Sequence, residues 1–186
     1  MIENSLFSEQ IAAGWLLILS GILFLPGGML YAGNNMWKWP IKNTHRYLLW
    51  ERGFVMAAIL VALLGLRILE GMLEAGGDKI LAPSGMALLM IGVGVVIFAE
   101  AYSISRKEWV YAPIVVFVIL AFLAQALFGG ALLRTGLLPG WIGWVTILWN
   151  LGWLVILPMA RPKDMYYPWL HYVAPILIGI GLLVKG

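Results

Sequence analysis

An all-α polytopic membrane protein, built as a single bundle of six transmembrane helices, is the fold class that three features of this sequence predict. Six apolar runs recur along the chain, and each approaches the ~17–25 residues that a helix needs to cross a bilayer. Of the 186 residues, 62% are hydrophobic and only 11% charged. Soluble domains hold about 45–50% apolar and about 25% charged residues, so the excess apolar surface has to face lipid. The breaks between the runs carry helix-ending turn chemistry. They read Gly33-Asn34-Asn35, Gly76-Gly77-Asp78, Thr135-Gly136 and Arg161-Pro162-Lys163-Asp164. The longest polar stretch, residues 33–50, is too short to build a soluble domain.

The first span covers residues 11–31. It follows a segment that holds Glu3 and Glu9 but no Lys or Arg. It also exceeds the ~7–15-residue apolar core of a signal peptide, so it reads as a retained helix. The second span, residues 49–73, carries several charges. At about 100° per residue, Arg52, Met56, Leu63, Arg67, Glu70 and Glu74 share a sector of roughly 60°. Ionised groups in hydrocarbon cost at least ~2.5 kcal/mol, so this sector is expected to face the other helices. Residues 84–103, 110–133, 141–159 and 169–184 form the remaining spans. Pro83, Pro113, Pro139 and Pro168 stand near helix starts, where a missing N–H costs little. Pro26, Pro158 and Pro175 fall inside or near the ends of spans, where neighbouring helices can satisfy the carbonyls they free.

The loops after the first, third and fifth spans hold Lys38, Lys42, Arg46, Arg52, Arg106, Lys107, Arg161 and Lys163. The opposite side holds only Lys79, Arg134 and Lys185. Basic residues in short loops stay in the cytoplasm, so both termini are expected outside. Trp37, Trp39, Tyr47, Trp50, Trp109, Tyr111, Tyr166, Tyr167, Trp169 and Tyr172 mark the inner interface on this reading, and Trp15, Trp141 and Trp144 the outer one.

Several classes of function find no residues to carry them. With no cysteine there is no disulfide, thiolate metal site or thiol nucleophile. The net charge of +3 lies in loops beside the spans, which topology explains without nucleic acid. No Gly-x-Ser-x-Gly elbow, His-Glu-x-x-His or phosphate loop occurs, and Gly92-Val93-Gly94 lies within an apolar helix. The chain therefore reads as non-enzymatic, with no metal site.

Polar residues at one depth make the leading candidate site. Arg67 lies about 10 Å inward of Glu74, Gln125 about 13 Å inward of Arg134, and Asn150 about 13 Å inward of Trp141. Ser20 reaches a similar level, and Gly92, Gly94 and Gly179 leave room beside it. Arg67, Glu70, Gln125 and Asn150 are thus expected either to satisfy one another or to line a pocket of about 300 Å³ or more toward the outer side. An anionic or carbonyl-bearing ligand, including a lipid headgroup, suits the second arrangement. Glu100, near the inner interface, pairs with Arg52 or Arg106 in a structural reading and accepts protons in a functional one. His45 and His171 are the only histidines, and either is a candidate ligand for a haem iron or a pigment magnesium.

Residues 129–144 read Gly-Gly-Ala-Leu-Leu-Arg-Thr-Gly-Leu-Leu-Pro-Gly-Trp-Ile-Gly-Trp. A helix ending in Leu-Leu-Arg-x-Gly, then Leu-Leu-Pro, then Trp-x-Gly resembles a hairpin of uncharacterised bacterial multi-pass proteins, which are grouped only as a domain of unknown function. Weaker likeness runs through Glu51-Arg52 and the helix of Arg67 and Glu70. Where those proteins often carry a basic residue after the proline, this chain has Gly140. The resemblance implies a bacterial plasma-membrane protein of six or seven helices and no particular activity. Read from its own residues, Gly136 caps one helix, Pro139 opens the next and Trp141 anchors it. The tight loop makes the two helices antiparallel neighbours, which lets Gln125 and Asn150 meet.

The sequence thus predicts a small bundle whose partners are the lipid bilayer, a lipid-like or small ligand, or other subunits of a membrane complex. A small transporter or proton-coupled carrier using Arg67, Glu70 and Glu100 is the second reading, and a haem or pigment subunit the third. Reporter fusions at Gly186 and within the Arg161–Asp164 loop are expected on opposite sides of the membrane, with Gly186 outside. A cytoplasmic C-terminal reporter would invert the assignment.

Overall fold

The computed structural model describes residues 2–35, 37–41, 43–106, 110–160 and 169–185 and, within the first helix, the side chains of residues 8–34. The expectations placed on Lys42, Lys107, Trp109, Arg161, Lys163, Asp164, Tyr166, Tyr167, Pro168 and Gly186 lie outside the described residues. Six helices run in order: α1 Ile2–Asn35, α2 Thr44–Ala75, α3 Leu81–Arg106, α4 Tyr111–Thr135, α5 Gly140–Ala160 and α6 Leu170–Lys185. No strand occurs among the described residues. α1 to α5 are long and apolar enough to cross a membrane. α6 has 16 residues, about 24 Å at 1.5 Å per residue, against a hydrocarbon core of about 30 Å.

Helix ends follow local chemistry. Asn43 caps α2 by accepting the Arg46 N–H at 3.0 Å. The cap starts α2 at Thr44, five residues before the expected span, so His45 falls in its first turn. Gly136 ends α4 with φ 63°, the left-handed conformation a glycine adopts without a Cβ penalty, and its N–H donates to the Leu132 carbonyl. Asp78 is fully buried at the α2–α3 turn. Its carboxylate accepts from the Ala82 N–H at 2.6 Å and the Leu81 N–H at 3.3 Å, and it faces Arg134 of α4 at 3.4 Å. A carboxylate at a helix N-terminus satisfies orphan N–H groups and opposes the helix dipole.

Each helix packs on its neighbours in the chain, and α6 returns to pack on α1, which closes the ring. α4 is the most enclosed, packing on α3 and α5 and also touching α2 and α6. Its buried face includes Phe117, Phe122, Phe128 and Gln125. Glycines set two of the closest approaches. A Cβ built on Gly129 would lie 2.9 Å from the Gly143 carbonyl, and one on Gly143 would lie 2.9 Å from the Gly129 carbonyl. Gly14 and Gly179 make the same reciprocal contact between α1 and α6, at 3.1 and 2.8 Å. Small residues let helix backbones meet where lipid supplies no hydrophobic drive. Gly179 therefore closes a helix contact and does not open space for a ligand, and Gly92 meets Leu120 and Phe117. Gly94 is exposed with nothing within 4 Å of its built Cβ.

These surroundings give opposite signs to one substitution. Gly179→Ala is expected to destabilise the bundle by about 1–3 kcal/mol, because the backbone of α1 must move. Gly94→Ala is expected to be neutral or to stabilise by up to about 1 kcal/mol. Reversible unfolding of both variants in mixed micelles measures the pair. Equal effects would refute the close α1–α6 contact.

Candidate functional site

The four residues expected to share one layer are separated by the structure. Arg67 Nη1 pairs with Glu70 on its own helix at 2.6 Å. Its side chain is 61% exposed, whereas that of Glu70 is buried. Arg67 sits about 12 Å from the end of α2, within reach of the interface for a long side chain. The roughly 60° sector of charges therefore straddles the edge of the buried face and does not point wholly inward. Asn150 is fully buried, but its Nδ2 donates to the Thr146 carbonyl one turn back on α5, at 2.7 Å. Ser20 likewise donates to the Leu17 carbonyl of α1. Gln125 does not meet Asn150. It turns to α6, where its Nε2 donates to the His171 carbonyl at 3.0 Å.

The last contact has a covalent cause. In an α-helix the carbonyl of residue 171 would accept from the N–H of residue 175. That residue is Pro175, which has no N–H, so the His171 carbonyl is left free inside the bundle. Gln125 supplies the missing donor from the middle of α4, about 15 Å from Thr135 and about 21 Å from Tyr111. Trp149 Nε1 of α5 donates to the neighbouring Leu170 carbonyl at 2.9 Å. The start of α6 is thus held at mid-bundle depth, and not at the inner interface as the sequence suggested.

His171 is 5% exposed, and its ring lies 4.2 Å from Phe122 and 5.4 Å from Phe117 between centroids. Tyr172 stacks on Phe24 of α1 at 4.6 Å. Gln125, His171 and Tyr172 line one small cavity of about 30 Å³, walled elsewhere by Ile59 and Leu66 of α2 and Leu89 of α3. Of these lining residues, Gln125 Oε1, both ring nitrogens of His171 and the Tyr172 hydroxyl are buried without a hydrogen-bond partner. Arg67, Glu70 and Asn150 do not line it. Among the lining residues there is no carboxylate, lysine or arginine.

His45 is exposed in the first turn of α2. Ile59, level with His171, stands 14 residues further along, or about 21 Å. The two histidines therefore cannot ligate one iron. A cavity of about 30 Å³ beside His171 leaves no room for a porphyrin or chlorin in this conformation. Among the described residues no group of three or more His, Asp or Glu side chains is placed to hold a metal ion. A larger groove of about 570 Å³ does lie on the side of the expected pocket, between the α4–α5 loop and α6. Its walls include Leu138, Trp141, Leu177 and Gly181, and Arg67 is not among them.

At a second level, Glu100 of α3 is fully buried and pairs with Arg52 of α2. Arg52 lies about 12 Å from the start of α2 and Glu100 about 9 Å from the end of α3, so the two match in depth. Arg106, the other candidate partner, is exposed in the last turn of α3. No protein-family model, curated protein or solved structure matches this chain, so the sites are read from their own chemistry.

The two ion pairs are expected to behave differently. A double-mutant cycle of Arg67→Leu and Glu70→Leu should give a coupling of about 0.5 kcal/mol or less, because the guanidinium end of this same-helix pair is exposed. Arg52→Leu should cost about 3–5 kcal/mol, because it strands a buried carboxylate, and adding Glu100→Leu should recover part of the loss. Unfolding in mixed micelles measures both. A coupling of several kcal/mol for the first pair would place Arg67 inside the bundle.

Proposed function

We propose that this chain is a non-enzymatic membrane bundle that binds the uncharged, hydrogen-bonding head of a lipid-like molecule at Gln125, His171 and Tyr172. The observation that carries this reading is the set of four unpartnered polar atoms on three residues that line one cavity at mid-bundle depth. Each buried orphan costs about 1–3 kcal/mol, and four together approach the whole stability of a small fold. Something in the membrane therefore hydrogen-bonds to them. Water alone fits the resting volume, since about 30 Å³ is one water's share of the liquid. A ligand head entering the same space inherits those partners.

The chemistry narrows the ligand. Lacking a charged residue, the cavity gives no counter-ion to a phosphate or carboxylate, which removes the anionic preference that Arg67 had suggested. A Tyr hydroxyl and an imidazole N–H both donate, which suits a carbonyl oxygen, and Gln125 Oε1 accepts from a hydroxyl or amide. Ala62 and Leu63 of α2 also line the cavity and are partly exposed, so its α2 wall reaches the surface that faces lipid. An apolar tail then stays among the acyl chains while the head enters. A multi-pass protein of the bacterial plasma membrane is the setting this reading takes.

Native mass spectrometry of protein purified from its own membrane tests the proposal. The wild type is expected to retain a small uncharged molecule bearing a carbonyl group. Tyr172→Phe should weaken its retention about tenfold, equivalent to about 1.4 kcal/mol for one lost hydrogen bond. A wild type that carries no such molecule, or one retained equally by Tyr172→Phe and Gln125→Leu, would leave the cavity to water and overturn the reading.

A further inference from the structure

The bundle also buries a charged cluster whose charges do not balance. Arg52 Nη1 donates to both Glu100 oxygens, at 3.1 and 3.0 Å. Arg52 Nη2 lies 3.4 Å from Glu51 Oε1. The Arg52, Glu51 and Glu100 side chains are 8%, 2% and 0% exposed. One guanidinium thus faces two carboxylates. The second oxygen of Glu51, Oε2, is buried with no hydrogen-bond partner.

Among the described residues the neighbouring elements do not supply the missing donor. Tyr47, one turn before Glu51 on α2, donates its hydroxyl to the Leu30 carbonyl of α1. α1 approaches Glu51 through Gly27, where a built Cβ would lie 3.1 Å from the Glu51 carbonyl. On α3, Glu100 adds a second negative charge, and Ser103 donates to the Ala99 carbonyl. A water molecule at Oε2 would satisfy its hydrogen-bonding capacity but leave the charge. An uncompensated charge in low dielectric is strongly unfavourable, so the position calls for a positive charge as well as a donor.

We propose that the Glu51–Arg52–Glu100 cluster binds one monovalent cation at Glu51 Oε2, either a proton or an alkali-metal ion. Its single positive charge neutralises the second carboxylate and completes the contact between α2 and α3. Arg52 remains bound to Glu100, and Glu51 is the side that exchanges. This site is independent of the central cavity and of what that cavity binds.

Infrared spectroscopy and thermal unfolding of the purified protein in lipid nanodiscs test the proposal together. If the occupant is a proton, the wild type at neutral pH shows the carbonyl stretch of an un-ionised carboxyl. The band shifts in D₂O and is absent in Glu51→Gln. If the occupant is an alkali ion, the unfolding temperature rises in NaCl, LiCl or KCl above its value in choline chloride of equal ionic strength. That ion-specific rise is lost in Glu51→Gln. Should Glu51→Gln fail to fold, Glu51→Asp keeps the carboxyl and must move the band or alter the ion dependence. A wild type with neither signal, or a variant at position 51 that keeps either unchanged, would overturn the proposal.

Discussion

A polar group placed in the apolar middle of a membrane bundle has to find its partner there, and the arrangement of α4 and α6 follows from that constraint. Pro175 removes one N–H from α6 and thereby frees the His171 carbonyl. The nearest remedy is a side-chain amide on a helix that runs through the centre, and Gln125 of α4 supplies it at 3.0 Å. That bond fixes how deep α6 begins. It also carries the His171 ring in among Phe117 and Phe122 and brings Tyr172 to the same cavity wall. The cavity with its unpartnered atoms is thus a consequence of one proline and one glutamine.

Packing elsewhere limits where space remains. Gly129 against Gly143 and Gly14 against Gly179 bring backbones into contact at two helix pairs. α5 is held to α4 by the first contact, and α1 to α6 by the second. Tyr47, donating to the Leu30 carbonyl, and the pair of Arg52 with Glu100 tie α2 to α1 and α3 near the opposite end. The crossing of α2, α4 and α6 has no comparable glycine contact, and the cavity lies there. Space persists where neither a glycine contact nor an ion pair draws the helices together.

Much of the fold was legible in the sequence because it depends on local rules. Apolar run lengths located the helices, Gly136 and Pro139 marked the α4–α5 turn, and Arg52 could be named as a partner of Glu100 from depth alone. Run length was less informative for α6, because the run of residues 169–184 was already shorter than a full span and the helix, Leu170–Lys185, is no longer. Counting inward from its assumed start put His171 at an interface, when it lies at the centre. Depth alone also grouped Arg67, Gln125 and Asn150, although their azimuths differ. Arg67 turns to the surface while paired with the buried Glu70, and Asn150 donates its amide N–H within α5. The link from Pro175 through the His171 carbonyl to Gln125 was readable in principle, since the proline names the carbonyl it frees. Glu51 gave no comparable signal: it stands beside Arg52 in sequence, and only the α2–α3 packing shows that both side chains turn inward.

The two polar sites differ in chemistry because they differ in depth. Near the start of α2 a charged cluster is tolerable, since the first residue of the helix lies about 12 Å away and two carboxylates share one guanidinium. At the level of His171 the same cluster would stand near the bilayer centre, where each ionised group is most costly. The sequence places only amide, imidazole and phenol there. Those groups exchange hydrogen bonds without introducing a formal charge, so an uncharged partner can enter and leave the centre at a modest cost in desolvation. A ligand for the centre and a cation for the edge are thus matched to the dielectric each would meet. The two sites lie along the same helices, α2 and α3, which line the cavity with Ile59 and Leu89 and hold the cluster with Arg52 and Glu100. About two turns on α2, from Arg52 to Ile59, and about three on α3, from Glu100 to Leu89, separate the sites, so each meets its own dielectric.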